Sequence, residues 1–544
     1  MTSSVSETWH TIVAGLRFTA SLPAFLRRRI TIPDARAVLE SRLRNREADF
    51  LDFLERAVAD NAASPYHGLL AQAGCEFGDI RRLVEREGIE GALQRLYAAG
   101  VYLTVDEYKG RKPAVRGSAT IEVKPEALRN PLMYRQFSAR TSGSRGVATP
   151  VPLNLAGIHD HAVNMALAMD ARGGSEWRKA IWELSGVGPL LWYTSFGGPV
   201  ERWFTKAGPR TGGASAAHHR RLSAVTWAGR LSGRSLPAPR HVSPDAPLPI
   251  AHWMEQTLKA GNVPHLWTST SSAVRLCQAA AEAGVSIRGA QFTVTGEPVT
   301  EARLAVIRSV GAGAVPDYGS ADSGGSVSCA CLAPDAPDAV HVFSDLNALI
   351  RADRDPFPSG ALLLTTLRST APFVFLNVSM GDCATLDTRS CGCPVEHLGW
   401  TTRLRDIRSF EKLTLGGMSF LDSDVARILD EDLPREFGGE PTDYQVAEVF
   451  EGGGQPRLRL LVHPRVGPVD ETGLERAFLA ALGSVSQTDD MMVSRLRDEN
   501  MVEVRREVPY MTATGKILHL WAGPDTVPGS GPDTGPNTGP GENR

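Results

Sequence analysis

The sequence predicts an α/β fold: a large N-terminal domain with parallel-sheet βαβ layers, plus a small α+β C-terminal domain. Three observations point there. Between residues 250 and 318, short apolar runs alternate with segments of helical period, the pattern of βαβ units. Beyond Lys412 the pattern changes to isolated strands and short helical stretches. The 544 residues, 42% of them hydrophobic, suffice for several domains and a sizeable core.

Residues 1–130 read as the helical N-terminal part of the large domain. Within 35–59, Val38, Leu39, Leu43, Phe50, Leu51, Phe53, Leu54 and Val58 recur at helical spacing. Residues 80–103 repeat the pattern. Glu107 and Lys109, beside a turn at Gly110, read as surface charges. Pro150 to Leu153 reads as extended. The next helix, 155–170, carries His159 and His161 as packing or surface residues. Leu190-Leu191-Trp192-Tyr193 reads as a buried strand, and His218-His219-Arg220-Arg221 as a basic loop face.

Strands follow at 264–267 and 291–295, each leading to a helix, 271–283 and 300–310. Thr300 is placed to cap the second helix. Further strands are expected at 362–367 and 373–378. The C-terminal part reads as a helix at 424–429, a strand at 458–463, helices at 470–482 and 487–497, and a strand at 502–506. Repeated Gly-Pro-Asp/Asn-Thr units predict a disordered tail at 524–544.

Composition excludes some classes. With 58 basic and 61 acidic residues the net charge is -3, so charge gives no reason to expect nucleic acid as a partner. No apolar run reaches the ~18 residues of a membrane span. The N-terminal segment lacks the basic start and small-residue cleavage site of a signal peptide. A cytoplasmic location is the expectation. Seven cysteines, an odd number, do not suggest a secreted disulfide framework.

The chemistry-bearing stretches come next. Thr141-Ser142-Gly143-Ser144-Arg145-Gly146 sets hydroxyls and backbone N–H groups where they can surround an anion. Alone it is equally a surface loop. Gly296-Glu297-Pro298 and Tyr318-Gly319-Ser320-Ala321-Asp322 fall at carboxyl ends of expected strands, where ligands of parallel sheets sit. Gly381-Asp382, then Arg408 ahead of Gly416-Gly417, then Thr512-Ala513-Thr514-Gly515-Lys516-Ile517 complete the series.

This order and spacing resemble the adenylate-forming superfamily: acyl-CoA synthetases, nonribosomal peptide adenylation domains and firefly-type luciferases. The phenylacetate-CoA ligase-like branch is the most similar. The resemblance runs from about residue 50 to 522. It implies a phosphate loop at 141–146, an adenine- and acyl-lining element at Gly296-Glu297, and an adenine-stacking Tyr318 followed by Gly319. It implies a phosphate- or substrate-contacting Ser320, a Mg²⁺-holding Asp322, a ribose-binding Asp382 and a ribose-contacting Arg408. Lys516 matches the lysine that reaches the carboxylate and α-phosphate during adenylation.

Departures are visible. Arg145 stands where Thr or Ser is usual, Asp322 where Glu is usual, and Ile407 where a hinge glycine is usual. The implied domains are an adenylate-forming core at 131–407 with a zinc-binding insertion, and a mobile C-terminal domain at 408–523. The implied reaction is ATP-dependent activation of a small carboxylic acid to an acyl-adenylate. Transfer follows to a thiol, on CoA or on the phosphopantetheine of an acyl carrier protein. An acyl-protein synthetase without free CoA, and a non-catalytic nucleotide- or acyl-binding relative, are the alternatives. Trp192, Phe196, Trp203, Trp267 and Phe292 are candidate acyl-pocket residues or ordinary core.

Cys329-Ala330-Cys331, His341 and Cys391-Gly392-Cys393 offer soft ligands for a structural Zn²⁺. His397 is a rival ligand, and four thiolates without histidine is another arrangement. Reduced cysteines without metal is a third reading. Some phenylacetate-CoA ligase-like proteins carry a similar set.

Overall fold

The structure is a computed structural model. It describes residues 17–521 except 19, 134–136, 141–149, 208–221, 224, 228, 231–235, 411–412, 416–417, 421, 451–455, 484–495, 498–500 and 513. The expected phosphate loop, the 218–221 cluster, Gly416-Gly417, most of the expected helix 487–497 and the tail therefore lie outside the described residues.

The N-terminal helices form where apolar periodicity meets capping chemistry. Helix α1 (Ile32–Arg44) starts at Thr31, whose hydroxyl accepts the Asp34 amide at 3.3 Å. Helix α2 (Arg46–Leu54) turns Phe50, Phe53 and Leu54 inward. Helix α3 (Phe77–Ala98) opens on a capping box between Glu76 and Asp79. The short α4 (Val105–Tyr108) opens on another, between Thr104 and Glu107. Glu107 is buried and pairs with Arg116 at 2.8 Å, and Lys109 pairs with Asp322 at 2.8 Å. Neither is the free surface charge expected, because distant partners in the fold neutralise both.

Helix α5 (Leu155–Ala171) is capped by Asn154, whose side-chain oxygen accepts the Gly157 amide at 2.6 Å. It is buried along most of its length. The chain then builds a parallel sheet. Its members are β1 (Arg178–Glu183), β2 (Val200–Thr205), β3 (Pro239–His241), β4 (Pro264–Ser269), β5 (Gln291–Thr295) and β6 (Gly313–Asp317). Helix α6 (Val187–Thr194) lies between β1 and β2, and α7 (Leu248–Lys259) precedes β4. Helix α8 (Thr270–Glu282) follows β4, and α9 (Glu301–Ser309) follows β5.

The spatial order is β3-β2-β1-β4-β5-β6, with every pairing parallel. The order reverses between β1 and β4, the topological switch point of the sheet. Residues 190–193 belong to α6, not to a strand. A run of four apolar residues carries no period, and Gly186 in a left-handed turn starts a helix there instead.

A second sheet is antiparallel. It comprises β7 (Ser328–Ala330), β8 (Val340–Val342), β9 (Asn347–Ala352), β10 (Ala361–Thr366), β11 (Val378–Asp387) and β12 (Arg403–Ser409), in the order β7-β8-β12-β11-β10-β9. The expected strand at 373–378 is not one. Its amides go elsewhere, Val374 to the Leu128 carbonyl at 2.8 Å, and Asn377 takes a left-handed φ of 54° before β11 begins. Arg408 and Ser409 still pair with β11, so β12 runs through the boundary expected at 407/408.

The C-terminal unit has its own core and an α+β arrangement. Helix α10 (Asp422–Arg427) precedes β13 (Tyr444–Phe450), β14 (Pro456–Val462), helix α11 (Glu471–Gly483), β15 (Val502–Arg505) and β16 (Leu520–Trp521). The sheet order is β15-β14-β13-β16. Leu458, Leu460 and Val462 on β14 pack against Leu474, Phe478 and Leu479 on α11. Burying such a set stabilises each by roughly 1.5–3 kcal/mol, enough to hold a separate small core. Among the described residues no helix is long and apolar enough to cross a membrane.

Candidate active site

Three sheets meet at one cleft of about 300 Å³. The carboxyl ends of β5 and β6 supply Gly296, Glu297, Asp317, Tyr318 and Gly319. The antiparallel sheet supplies Met380, Asp382 and Arg408. The C-terminal unit supplies Leu518, His519 and Leu520. Residues far apart in the chain are thus brought together because strand ends of separate sheets converge.

Tyr318 donates its hydroxyl to Asp382 Oδ2 at 3.0 Å. Its backbone is fixed by Ser328, whose hydroxyl accepts the Tyr318 amide at 3.0 Å. Burial and then the Asp382 carboxylate push the phenol far above its usual range, so it remains a donor. A hydrogen bond of this kind, to a carboxylate, contributes roughly 1.5–3 kcal/mol. Gly319 packs against the backbone of 325–327, where a Cβ would clash. Ser320 caps the turn Ala321–Ser323, its hydroxyl accepting the Ser323 amide at 3.3 Å.

Glu297 binds inward. Its carboxylate accepts the Ser271 amide at 2.9 Å and the Ser271 hydroxyl at 2.8 Å, at the positive end of α8. The same hydroxyl accepts the Ile517 amide at 3.1 Å. Lys516 donates to the Gly296 carbonyl at 2.8 Å, beside the cleft. Gly296 has a φ of 74°, and a Cβ there would strike the Lys516 ammonium. The lysine therefore arrives at the strand end on a segment stitched to the parallel sheet.

Sequence reasoning missed several groups. Lys206, with no side-chain exposure, follows β2 and donates to Ser269 Oγ, at the end of β4, at 2.9 Å. Ser269 Oγ bonds Ser272 Oγ at 2.8 Å. Burial pulls the Lys206 ammonium down from its usual range. Asp338 accepts the amides of Asp406, at 3.0 Å, and of Ile407. Asp406 takes a left-handed φ of 55°, its carboxylate accepting the Thr385 hydroxyl at 2.9 Å. Arg303, Asp430 and His519 form a buried cluster behind the cleft. Single polar residues of this kind carry no motif.

Asp322 Oδ2 accepts the Lys109 ammonium at 2.8 Å and the Tyr108 hydroxyl at 3.3 Å. The candidate acyl-pocket aromatics pack in the core: Trp192 stacks on His161 with ring centroids 5.5 Å apart and meets Trp267 edge-on at 5.8 Å. Phe196 and Trp203 belong to the same core, and Phe292 to a neighbouring one.

A second cluster lies at the edge of the antiparallel sheet. Cys331, His341, Cys391 and Cys393 place their ligand atoms within 4.8 Å of one another. His341 Nε2 is 3.4 Å from Cys391 Sγ and 3.3 Å from Cys393 Sγ, and Cys331 Sγ is 3.7 Å from Cys391 Sγ. Edges of a tetrahedron with Zn–S and Zn–N bonds of usual length are roughly 3.5–3.8 Å. His341 Nδ1 bonds the Trp400 carbonyl at 2.6 Å, which leaves Nε2 facing the thiols. Glu396 holds the knuckle, accepting the Gly392 amide at 2.7 Å and the Cys391 amide at 2.9 Å. The donor set fits a closed Zn²⁺ site. Cys329 is not part of this group and lines a small cavity with Asp317. His397 is not part of the cluster, and one imidazole takes the place of a fourth thiolate.

No family model matches the chain, and no curated protein matches it. Among solved structures it is similar to a 2-hydroxyisobutyryl-CoA ligase in complex with 2-HIB-AMP and CoA. The two are 15% identical over 88% of each chain, with a TM-score of 0.43. It is similar to the anthranilate CoA ligase AuaEII in complex with anthranoyl-AMP, at 12% identity, 84% and 79% coverage and a TM-score of 0.42. It is also similar to McyG A-PCP complexed with phenylalanyl-adenylate, at 12% identity, 81% and 72% coverage and a TM-score of 0.40. The activities named belong to those proteins.

Proposed function

We propose that this chain is an ATP-dependent acid–thiol ligase that forms an acyl-adenylate. The observation that carries the reading is convergence: Tyr318, Asp382 and Arg408 line one cleft with Gly296, while Lys516 reaches the Gly296 carbonyl. An aromatic ring suits a purine, and a carboxylate and a guanidinium suit the hydroxyls of a ribose.

In this reading a carboxylate oxygen of the acid attacks the α-phosphorus of ATP. The bond from that phosphorus to the bridging oxygen breaks, and pyrophosphate leaves. Lys516 neutralises charge that builds on the α-phosphate oxygens and orients the carboxylate. The sulfur of CoA, or of a carrier protein's phosphopantetheine, then attacks the acyl carbon. The carbon–oxygen bond to AMP breaks, and the thiol proton passes to solvent. The phosphate loop assigned to 141–146, including Arg145, would hold the triphosphate. No step runs through Mg²⁺, because the carboxylate expected to hold it is bonded to Lys109. Cys331, His341, Cys391 and Cys393 would hold one structural Zn²⁺, with no part in the chemistry.

ATP–pyrophosphate exchange with a panel of aryl, aliphatic and amino acids tests the reading. Exchange with at least one acid is expected. ATP binding without exchange for any acid would instead favour a non-catalytic binding protein. Exchange without CoA ester formation, but with acylation of a carrier protein, would make it an acyl-protein synthetase.

A further inference from the structure

Asp322 is where the resemblance puts a divalent cation, and the structure puts an ammonium there. Lys109 Nζ lies 2.8 Å from Asp322 Oδ2, and the Tyr108 hydroxyl donates to the same oxygen at 3.3 Å. Both side chains are largely enclosed, 17% exposed for Lys109 and 8% for Asp322. A divalent ion on that oxygen would sit directly against a positive charge, with little water to screen it.

The pairing is built on both sides. Lys109 closes α4, its amide bonded to the Val105 carbonyl at 3.1 Å. Thr104 and Glu107 cap that turn reciprocally, at 2.8 and 3.3 Å. Arg116 then locks Glu107 with two bonds, at 2.8 and 3.0 Å, and holds the Gly100 carbonyl at 2.9 Å. The Lys109 ammonium also lies 4.7 Å from the centre of the Tyr108 ring. On the other side, Asp322 is held in the Ala321–Ser323 turn that Ser320 caps. A surface lysine meeting a carboxylate by chance would not have this support.

We propose that Asp322 is the structural partner of Lys109 rather than a metal ligand. The inference rests on the adenylate-forming reading only for the expectation of a metal at Asp322. The pairing itself stands apart from that reading. It also accounts for a departure noted in the sequence. Asp, one methylene shorter than the usual Glu, ends where Lys109 can reach it.

The test has two arms. Mn²⁺ binding is measured by electron paramagnetic resonance on the nucleotide-free full chain. The wild type and Asp322→Asn should bind Mn²⁺ equally. Lys109→Met should bind it at least tenfold more tightly, and Lys109→Met/Asp322→Asn should lose that gain. Wild-type Mn²⁺ binding that Asp322→Asn removes would overturn the proposal. So would a folded Lys109→Met protein that gains no Mn²⁺ site. If Lys109→Met does not fold, the comparison of wild type with Asp322→Asn still decides. In the second arm ATP binding is measured by calorimetry with and without Mg²⁺. Asp322→Asn should leave the Mg²⁺ dependence of ATP affinity unchanged, and loss of that dependence in the variant would overturn the proposal. A wild type that binds no ATP with or without Mg²⁺ would defeat the adenylate-forming reading, while the Mn²⁺ arm still judges the Lys109–Asp322 pairing.

Discussion

Arg303 Nε lies 3.0 Å from Asp430 Oδ2, and their side chains are only 1% and 0% exposed. Arg303 stands on α9, beside the parallel sheet, and Asp430 belongs to the C-terminal unit. Thr300 donates to Asp430 Oδ2 at 2.9 Å, and His519 Nε2 lies 2.9 Å from Oδ1. Burial alone would raise the Asp430 carboxyl, but Arg303 and His519 outweigh it and hold it below its usual range.

Removing one partner leaves a charge sealed in a dry interface. Arg303→Met should therefore destabilise the seat of the C-terminal unit by roughly 3–5 kcal/mol. Arg303→Met with Asp430→Leu should recover most of that loss. Urea unfolding of the three proteins measures it. Equal losses in the single and double variants would show that the pair is not what joins the two units.

Asp317 carries a pH signature. Burial pushes its carboxyl up to about 8, and the Ser326 and Thr295 hydroxyls, at 3.1 and 3.2 Å, only partly offset this. An unfolded aspartate loses its proton near pH ~4, so between roughly pH 4 and 8 the folded state holds the extra proton. Stability contributed by that proton is present at the acid end and falls as pH rises through the window. Asp317→Asn should flatten the slope, with its largest gain, on the order of several kcal/mol, above about pH 8. Parallel stability–pH curves for the two proteins would contradict it.

Lys516 is half-buried and makes one bond to the Gly296 carbonyl. Lys516→Ala should lower pyrophosphate exchange by ~10²-fold or more while moving stability by less than about 0.5 kcal/mol. Full exchange in the variant would remove the lysine from the chemistry.

Protein purified without chelator should contain one zinc per chain by elemental analysis. Cys393→Ser should lower that occupancy and the melting temperature together. Cys329→Ser should leave occupancy unchanged, because Cys329 faces the core beside Asp317. Zinc loss from the Cys329 variant alone would reverse the ligand assignment.

Legibility in the sequence followed locality. The βαβ alternation was readable because each strand and helix declares its own period. Of the spaced motifs, Gly296-Glu297, Tyr318-Gly319, Asp382 and Arg408 come together in one cleft, whereas Ser320 and Asp322 do not line it. Residues 190–193 were not readable, since a short apolar run is compatible with helix or strand. Lys109 and Glu107 read as surface charges because their partners, Asp322 and Arg116, are set by folding rather than by neighbourhood. The metal cluster was half legible: two C-x-C pairs and His341 offered five candidates, and which four ligand atoms come together, without Cys329, is set by folding rather than by spacing. The Arg303–Asp430–His519 contacts left no trace, because three isolated polar residues carry no pattern.

Gly515 sits with a φ of 73°, where a Cβ would lie 2.6 Å from Pro244 and 3.2 Å from the Lys206 stem. Only bare backbone clears that seat. A single methyl there is thus a wedge of known thickness, placed next to Lys516 without altering it. Gly515→Ala would separate two properties that a lysine substitution removes together: possessing the ammonium, and delivering it to the right place at the right time.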